Sequence, residues 1–385
     1  MRILIISTLE VVPWGGSEEL WAGAARRMAD QGHEVVVLRR EFTLQPATLL
    51  KTLAAGVKFQ PIPISYSPKW GERVRRWRRR WQRISHEVQI LDHQVRALRP
   101  DLVFIAQAGQ YDGSEWLRAC RELGVRYALM VQAAQDAWWP VGEHLEQLRL
   151  GFESAHRCYF VSRSNRDLVR MQLAAPLPQS EVVWNPFNID RNTTPTWPSV
   201  DEPLRMACVG RLEPGSKGQD ILFRVLDQPK WRRRPLRFAL FGNGASEDVL
   251  RRAAAGLETV TFEGFANDIG TVWKDHHALV LPSRVEGMPL AAIEAMMAHR
   301  MCVVTDVAGN PEIVDDNVNG FVAAGPTMRA LDEALERAWL RRHEWRELGL
   351  RAGRDIRSLA PADPIATFAE TLVCAASANS APPKP

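Results

Sequence analysis

A chain of 385 residues with 46% hydrophobic and 24% charged residues has ordinary globular composition and room for two domains of under about 200 residues each. A net charge of +4 and a pI near 8.9 are modest at this length, so they suit a phosphate-bearing substrate as well as a polyanionic partner. The five cysteines, Cys120, Cys158, Cys208, Cys302 and Cys374, are scattered and free of Cys-x-x-Cys spacing, which implies neither a zinc site nor a disulfide framework and points to a reduced, cytoplasmic setting. No apolar run approaches the roughly 18 to 20 residues of a membrane span, and "MRILIIS" is too short and too soon followed by Glu10 to read as a signal peptide. The expectation is a cytoplasmic protein, soluble or peripheral on the inner face of the membrane.

In chain order, short β-branched runs alternate with longer helical patterns. Strands are predicted at Arg2 to Ser7, Glu34 to Leu38, Asp101 to Ala106, Arg126 to Val131, Arg157 to Val161 and Val182 to Trp184. Helical periodicity marks Glu18 to Gln31, Ser114 to Leu123 and Ser164 to Leu173. Repeated strand–helix–strand units mean a parallel sheet covered on both faces. The segment 186–203 is rich in proline and polar residues and aperiodic, so it reads as a linker. The pattern then restarts, with strands at Arg205 to Val209, Arg237 to Phe241, Thr259 to Phe262, Ala278 to Leu281 and Cys302 to Thr305. The expected fold class is α/β with two doubly wound Rossmann-like domains, 1–185 and 204–358. A last helix at 359–375 and a disordered tail at 376–385 follow.

"VVPWGGSEELW" (11–21) lies between the first strand and the first helix. In a doubly wound sheet, ligands sit at the carboxyl ends of strands, and a glycine turn there lets backbone N–H groups approach a phosphate. Gly15 and Gly16 suit that role, with Ser17 as the helix N-cap. The same residues also suit a tight turn that binds nothing. The Gly-x-Gly-x-x-Gly of a dinucleotide site is absent, which disfavours a nicotinamide enzyme.

The second half is richer in chemistry. "VGRLEPGSKGQD" (209–220) puts Arg211 and Lys217 on the loop after that half's first strand, among Gly210, Gly215 and Gly218. Arginine forks onto two phosphate oxygens and lysine adds a mobile point charge, a combination suited to a diphosphate. A solvated loop with two incidental bases is the bland alternative. "FGNG" (241–244), with Gly242, repeats the strand-to-glycine design. In "LPSRVEGMPLAAIEAM" (281–296), Glu286 lies in a loop after a strand, Gly287 and Met288 continue it, and Pro289 and Leu290 suit a helix start. Glu294 interrupts an otherwise apolar helix, and a buried carboxylate is costly unless paired or bonded to a ligand. Two hydroxyls of a ribose are such a ligand. On one continuous helix the two glutamates would stand roughly 12 Å apart; with Glu286 in the loop, one motif reaches both ends of a nucleotide sugar. The bland alternative has Glu286 solvated and Glu294 paired with an arginine.

Taken together, Gly15-Gly16, Gly210-Arg211 with Lys217-Gly218, the Glu286 and Glu294 pair with seven residues between them, and "AGNPEIV" (308–314) resemble the signature of the retaining glycosyltransferases of family 4. The resemblance runs from about residue 2 to about residue 325 and implies a GT-B fold, with the two domains facing each other across a cleft. By this resemblance Arg211 and Lys217 bind the donor diphosphate, Glu294 the ribose and Glu286 the transferred sugar. Gly15, Gly16, Gly210, Gly242, Gly287, Met288, Pro289 and Leu290 complete the donor site. Phe265, in "FEGFAND", falls where the family holds the base, and the last helix crosses back to the first domain. One departure stands out: the family often carries His-Asp in its first-domain loop, whereas "MVQAAQDAWWP" (130–140) has Gln135 before Asp136. A carboxamide cannot take a proton as imidazole can, so an acid or base role at Gln135 or Asp136 is in question. Trp138 and Trp139 suit stacking on an acceptor sugar or packing within the protein.

The parts imply a reaction. Fixed positive charge aimed at the departing diphosphate lowers the barrier, and no Asp-x-Asp occurs to bridge a metal, so the expected transfer needs no metal and no other cofactor. The expected partners are a nucleotide-sugar donor and a sugar, lipid-linked or small-molecule acceptor, with no nucleic acid. Residues 71–84, "GERVRRWRRRWQRI", begin an apolar stripe that continues through Val88, Leu91, Val95 and Leu98. Their arginines form either a solvated face or a contact with anionic lipid. A sugar-nucleotide epimerase or hydrolase of the same architecture, and a non-catalytic nucleotide-sugar-binding relative, remain as alternatives.

Overall fold

The computed structural model describes residues 1–10, 12–43, 46–62, 86–192, 195–199 and 203–377. It divides into two compact units: residues 1–161 and 165–185 with the segment from Asp363 onward, and residues 162–164 with 186–362. The basic stretch 71–84 lies outside the described residues, as do residues 378–385 of the expected tail.

The first unit begins with β1 (Arg2–Ser7), α1 (Gly16–Asp30), β2 (Glu34–Arg40), α2 (Ala47–Ala54), β3 (Lys58–Ile62) and α3 (His86–Leu98). It continues with β4 (Leu102–Gln107), α4 (Ser114–Glu122), β5 (Tyr127–Val131), α5 (Gly142–Glu153), β6 (Arg157–Phe160), α6 (Arg163–Gln172) and β7 (Ser180–Val182). Its seven strands are all parallel, in the order β3-β2-β1-β4-β5-β6-β7. The apolar runs are continuous rather than alternating because both faces are covered. Leu4 and Ile6 belong to one core with Val103, Ile105 and Trp116, while Ile3 and Ile5 belong to another with Trp21 and Phe104.

The second unit contains β8 (Leu204–Val209), α7 (Pro214–Lys217), α8 (Gln219–Leu226), α9 (Pro229–Arg232), β9 (Leu236–Phe241), α10 (Glu247–Ala253) and β10 (Val260–Gly264). Next come α11 (Ile269–Asp275), β11 (Ala278–Leu281), α12 (Leu290–Met297), β12 (Met301–Thr305), α13 (Asn310–Ile313), β13 (Gly320–Ala323), α14 (Met328–Leu340) and α15 (Trp345–Leu359). Six parallel strands run β10-β9-β8-β11-β12-β13. Both sheets are parallel and Rossmann-like, as the expected α/β class requires. Among the described residues no helix is long and apolar enough to cross a membrane.

The structure differs from the sequence expectations at a few places with physical causes. β3 and β13 were not expected; both are sheet edges, β3 carries Pro61 and β13 begins with Gly320, so neither has the apolar run of a central strand. Ser17 is not the N-cap of α1: Gly15 is, in extended conformation, and no side chain caps the helix. The final helix, α16 (Pro364–Ser377), runs two residues into the segment read as tail, because Ala375 and Ala376 are buried.

α16 completes the first unit's core. Ile365 sits so close to Gly23 of α1 that a Cβ there would lie 2.6 Å from its Cδ1. Phe368, fully buried, packs edge-on against Phe104 and Tyr159 with ring centroids 5.5 and 5.4 Å apart. Phe368→Ala is expected to destabilise the first unit by about 3–5 kcal/mol, the usual cost of removing a buried phenyl ring, and urea denaturation checks it: an unchanged midpoint would mean that α16 is peripheral.

Candidate functional site

In the second unit, the loops after β8, β9 and β11 are joined mainly through backbone. The turn after β9 lies against the loop after β8: a Cβ on Gly242 (φ +138°) would fall 2.0 Å from the Gly210 carbonyl oxygen, and one on Gly244 2.3 Å from that of Leu212. Gly218, at φ +66°, lies just as tightly under the Pro282 carbonyl, 1.9 Å from where its Cβ would be. Only glycine meets both the backbone angle and the space at Gly218 and Gly242. The loop after β11 is bound to the same place by Ser216, whose carbonyl accepts the Arg284 and Val285 amides at 2.8 and 3.1 Å. Arg284 adds a fork: its guanidinium donates to both carboxylate oxygens of Asp220 at 2.6 and 2.8 Å and to the Pro214 carbonyl at 2.6 Å. That guanidinium holds the Asp220 carboxyl below its ordinary range.

This lacing brings Lys217, at the end of α7, to Glu286. The Lys217 ammonium donates to Glu286 Oε1 at 2.7 Å, and the Ser283 hydroxyl donates to the same oxygen at 2.7 Å. Glu286 is 7% exposed. The Ser283 carbonyl in turn accepts from Thr305 Oγ1 at 2.7 Å, and Asn310 donates to the Thr305 carbonyl at 2.9 Å. Gly287 accepts the Gly309 amide at 3.0 Å, Met288 is buried beside Gly309, and Pro289 is the N-cap residue of α12, which begins at Leu290.

Glu294 lies within α12, 5% exposed, and accepts the backbone N–H of Asn188 at 2.8 Å. Its partner is thus an amide of the segment read as linker, not the arginine of the bland alternative. Burial pushes its carboxyl up to about 7, against the opposing pull of the Asn188 hydrogen bond. Arg211 projects outward, 64% exposed at its side chain and 3.3 Å from Glu213. Phe265 is exposed and lines a groove with Phe241, Glu263 and His276 that includes none of Lys217, Glu286 and Glu294.

Gly15, Gly16, Gln135 and Asp136 belong to the first unit. Gly15 and Gly16 open α1, whose first turn carries Glu18, buried and accepting from Ser7 Oγ at 2.7 Å; burial pushes that carboxyl up. Asp136 is exposed, and Gln135 is half-buried and held by its backbone. The Gln110 carboxamide takes the Gln135 amide at 2.8 Å and donates to its carbonyl at 2.9 Å, while Gln172 donates to that carbonyl at 2.9 Å. Sequence reasoning missed Asn188, Ser283, Arg284, Gln110 and Gln172. The only sequence signal for the two glutamines is a polar residue set among core positions, and for Ser283 and Arg284 their place inside the two-glutamate motif. Among the described residues no three His, Cys, Asp or Glu side chains are grouped so as to hold a metal ion.

Two family models match: residues 14–191 match "Glycosyltransferase Family 4" and residues 203–340 match "Glycosyl transferases group 1". A UDP-Gal:alpha-D-GlcNAc-diphosphoundecaprenol alpha-1,3-galactosyltransferase of Escherichia coli is 41% identical over 59 residues, 15% of each chain. A GDP-mannose-dependent alpha-(1-6)-phosphatidylinositol monomannoside mannosyltransferase of Mycolicibacterium smegmatis is 30% identical over 147 residues, 35% of this chain and 38% of the relative. The chain thus spans well under half the length of these curated relatives. The structure of Anabaena Alr3699/HepE in complex with UDP superposes with a TM-score of 0.71 at 16% identity, over 97% of this chain and 100% of that one. With a family model on each half and this fold, the chain belongs to the glycosyltransferases of the GT-B architecture.

Proposed function

We propose that the protein is a retaining, metal-independent glycosyltransferase of family 4 that moves a sugar from a nucleoside-diphosphate sugar to an acceptor hydroxyl in polysaccharide or glycolipid synthesis. The observation that carries this reading is the cluster of half-buried Lys217 with buried Glu286 and Ser283, in a loop laced to the diphosphate-type loop 210–218, with a second buried carboxylate, Glu294, on the helix that follows. In this reading Arg211, exposed and only loosely paired, turns onto the diphosphate, and Lys217 exchanges part of its contact with Glu286 for a phosphate oxygen. Both oppose the charge that develops as the diphosphate leaves. The acceptor hydroxyl attacks from the face the diphosphate departs, and a phosphate oxygen takes the proton, so no base is asked of Gln135. Gly15 and Gly16 offer amides to an anion. The relatives support transfer over epimerisation or hydrolysis, since the matches described are glycosyltransferases; one is named for a UDP-sugar and another for a GDP-sugar, so the base stays open.

Glu294 links donor binding to pH. Its folded-state carboxyl near 7 stands above the ordinary 4.5, so the folded form prefers the proton. The stability tied to that proton is fully present below about 4.5, falls as pH rises, and is gone above about 7. Two ribose hydroxyls would donate to the ionised form, so nucleotide affinity should rise across pH 6 to 8 and then level. Glu294→Gln removes the titration: its melting temperature should gain on wild type between pH 5 and 7, while its nucleotide affinity is weak and independent of pH. Parallel pH profiles for the two proteins would sink the ribose assignment.

Lys217→Ala and Arg211→Ala are each expected to lower transfer by about two to three orders of magnitude, as when one preorganised charge-stabilising group is lost. Lys217→Ala also leaves Glu286 buried and unpaired, a change that costs several kcal/mol. Lys217→Met combined with Glu286→Gln should restore the fold without restoring turnover, and near-wild-type turnover in that double variant would remove the cluster from the reaction. UDP and GDP in a thermal-shift assay identify the base, because a ligand at about 100 times its Kd stabilises by about 2.7 kcal/mol. Release of free sugar at the same rate with and without acceptor would favour a hydrolase.

Turnover should be unchanged in EDTA. Activity lost in EDTA and regained with manganese overturns the metal-free part alone.

A further inference from the structure

The loop after β5 displays two large aromatic rings to solvent from a rigid base. Trp138 and Trp139 are 49% and 54% exposed, with Val141 beyond them at 76%. Indoles that pack within the protein would be covered, and loop residues with no other role seldom include two of them side by side. Their base does not yield: Gln110 and Gln172, both buried, hold the backbone of Gln135 through three hydrogen bonds of 2.8 to 2.9 Å. Tyr111 donates to Gln172 Oε1 at 2.8 Å, and the Gln135 carbonyl also takes the Trp138 amide at 3.3 Å. Upstream, Gln132 and Asn185 exchange two hydrogen bonds of 2.7 and 3.0 Å. Preorganisation of this kind removes the ordering cost of binding.

The charge around the rings selects the occupant. From Tyr127 to Leu148 the chain has no lysine or arginine; Glu146 is paired with Arg149 at 2.8 Å, while Asp136 and Glu143 are exposed and without an ion pair among the described residues. Carboxylates beside the rings repel an anionic bilayer and resist insertion into any bilayer. They suit a ligand that offers hydroxyl donors and no negative charge. A sugar ring is one: its axial C–H face bears slight positive charge and meets the negative face of an indole, while its hydroxyls donate to a carboxylate. The geometry points to Trp138 and Trp139, with Asp136, as a platform for uncharged glycan, which within the glycosyltransferase reading is the saccharide part of the acceptor.

Saturation-transfer NMR tests this with maltohexaose, cellohexaose, laminarihexaose and a mannohexaose as probes, and with UDP and GDP alongside. At least one hexasaccharide should receive saturation, strongest at its ring C–H protons. Trp138→Ala with Trp139→Ala should reduce that signal at least fivefold and leave the nucleotide signal unchanged, and Trp138→Phe with Trp139→Phe should recover part of it. No transfer to any hexasaccharide, or equal transfer in the alanine variant, overturns the platform. So does cosedimentation of wild type with pure phosphatidylcholine vesicles that the alanine variant loses, which would make the rings a membrane anchor. The nucleotide arm separates the two readings: loss of UDP and GDP binding speaks against the donor reading, whereas glycan loss with nucleotide binding intact speaks only against the platform.

Discussion

An ionised carboxylate taken out of water is unfavourable by several kcal/mol until charge or hydrogen bonds replace its hydration, and the second unit buries two in one loop and the helix after it. Each receives a different substitute. Glu286 has a lysine and a hydroxyl on one oxygen; Glu294 has Asn188, through its backbone amide and its side chain, and a carboxyl raised to about 7. The first arrangement includes a cation, whereas the second meets its carboxyl with one neutral residue and leaves burial to raise it. A stable fold alone would place leucine or glutamine at Glu294, as natural proteins keep such strained groups mainly where function requires them. The difference between these two carboxylates is the strongest physical argument for a ligand with paired hydroxyls.

Holding the Lys217–Glu286 pair at 2.7 Å requires loops from different strands to touch at backbone distance. Gly218 under the Pro282 carbonyl and Gly242 under the Gly210 carbonyl allow that approach. Arg284 then joins Asp220 and the Pro214 carbonyl in one fork. The exposed Arg211 stands outside this network, which leaves it free to move toward an anion while Lys217 is already placed. Rigidity and mobility are thereby divided between two cations on one loop.

How much of this was legible follows from which forces act locally. The central strands announced themselves because both faces of each sheet are buried, so "RILIIS" and "ALVL" read as unbroken apolar runs. The edges β3 and β13 escaped, since an edge strand tolerates Pro61 and Gly320. In the site, the glycine turns, the basic loop and the two glutamates carry their chemistry in their own letters, and the structure places Gly210, Lys217, Gly242, Glu286 and Glu294 on adjoining loops and a helix of one unit. Partners that act through their backbone left little trace: Asn188 meets Glu294 with its amide as well as its side chain, and Ser216 holds the β11 loop by its carbonyl. Ser17 shows the opposite error, where a good capping side chain is present and the helix starts two residues too early to use it.

The loop around Gln135 holds the departure from the family's histidine on a fixed backbone. The half-buried Gln135 is gripped through its backbone N–H and carbonyl by Gln110 and Gln172, a hold that does not depend on its side chain. A histidine in the same backbone setting would add a titratable ring without improving the anchor. Under the proposed reaction the diphosphate itself receives the proton, and the loop is released from acid–base work to serve presentation. Its exposed carboxylate and two indoles are consistent with that use.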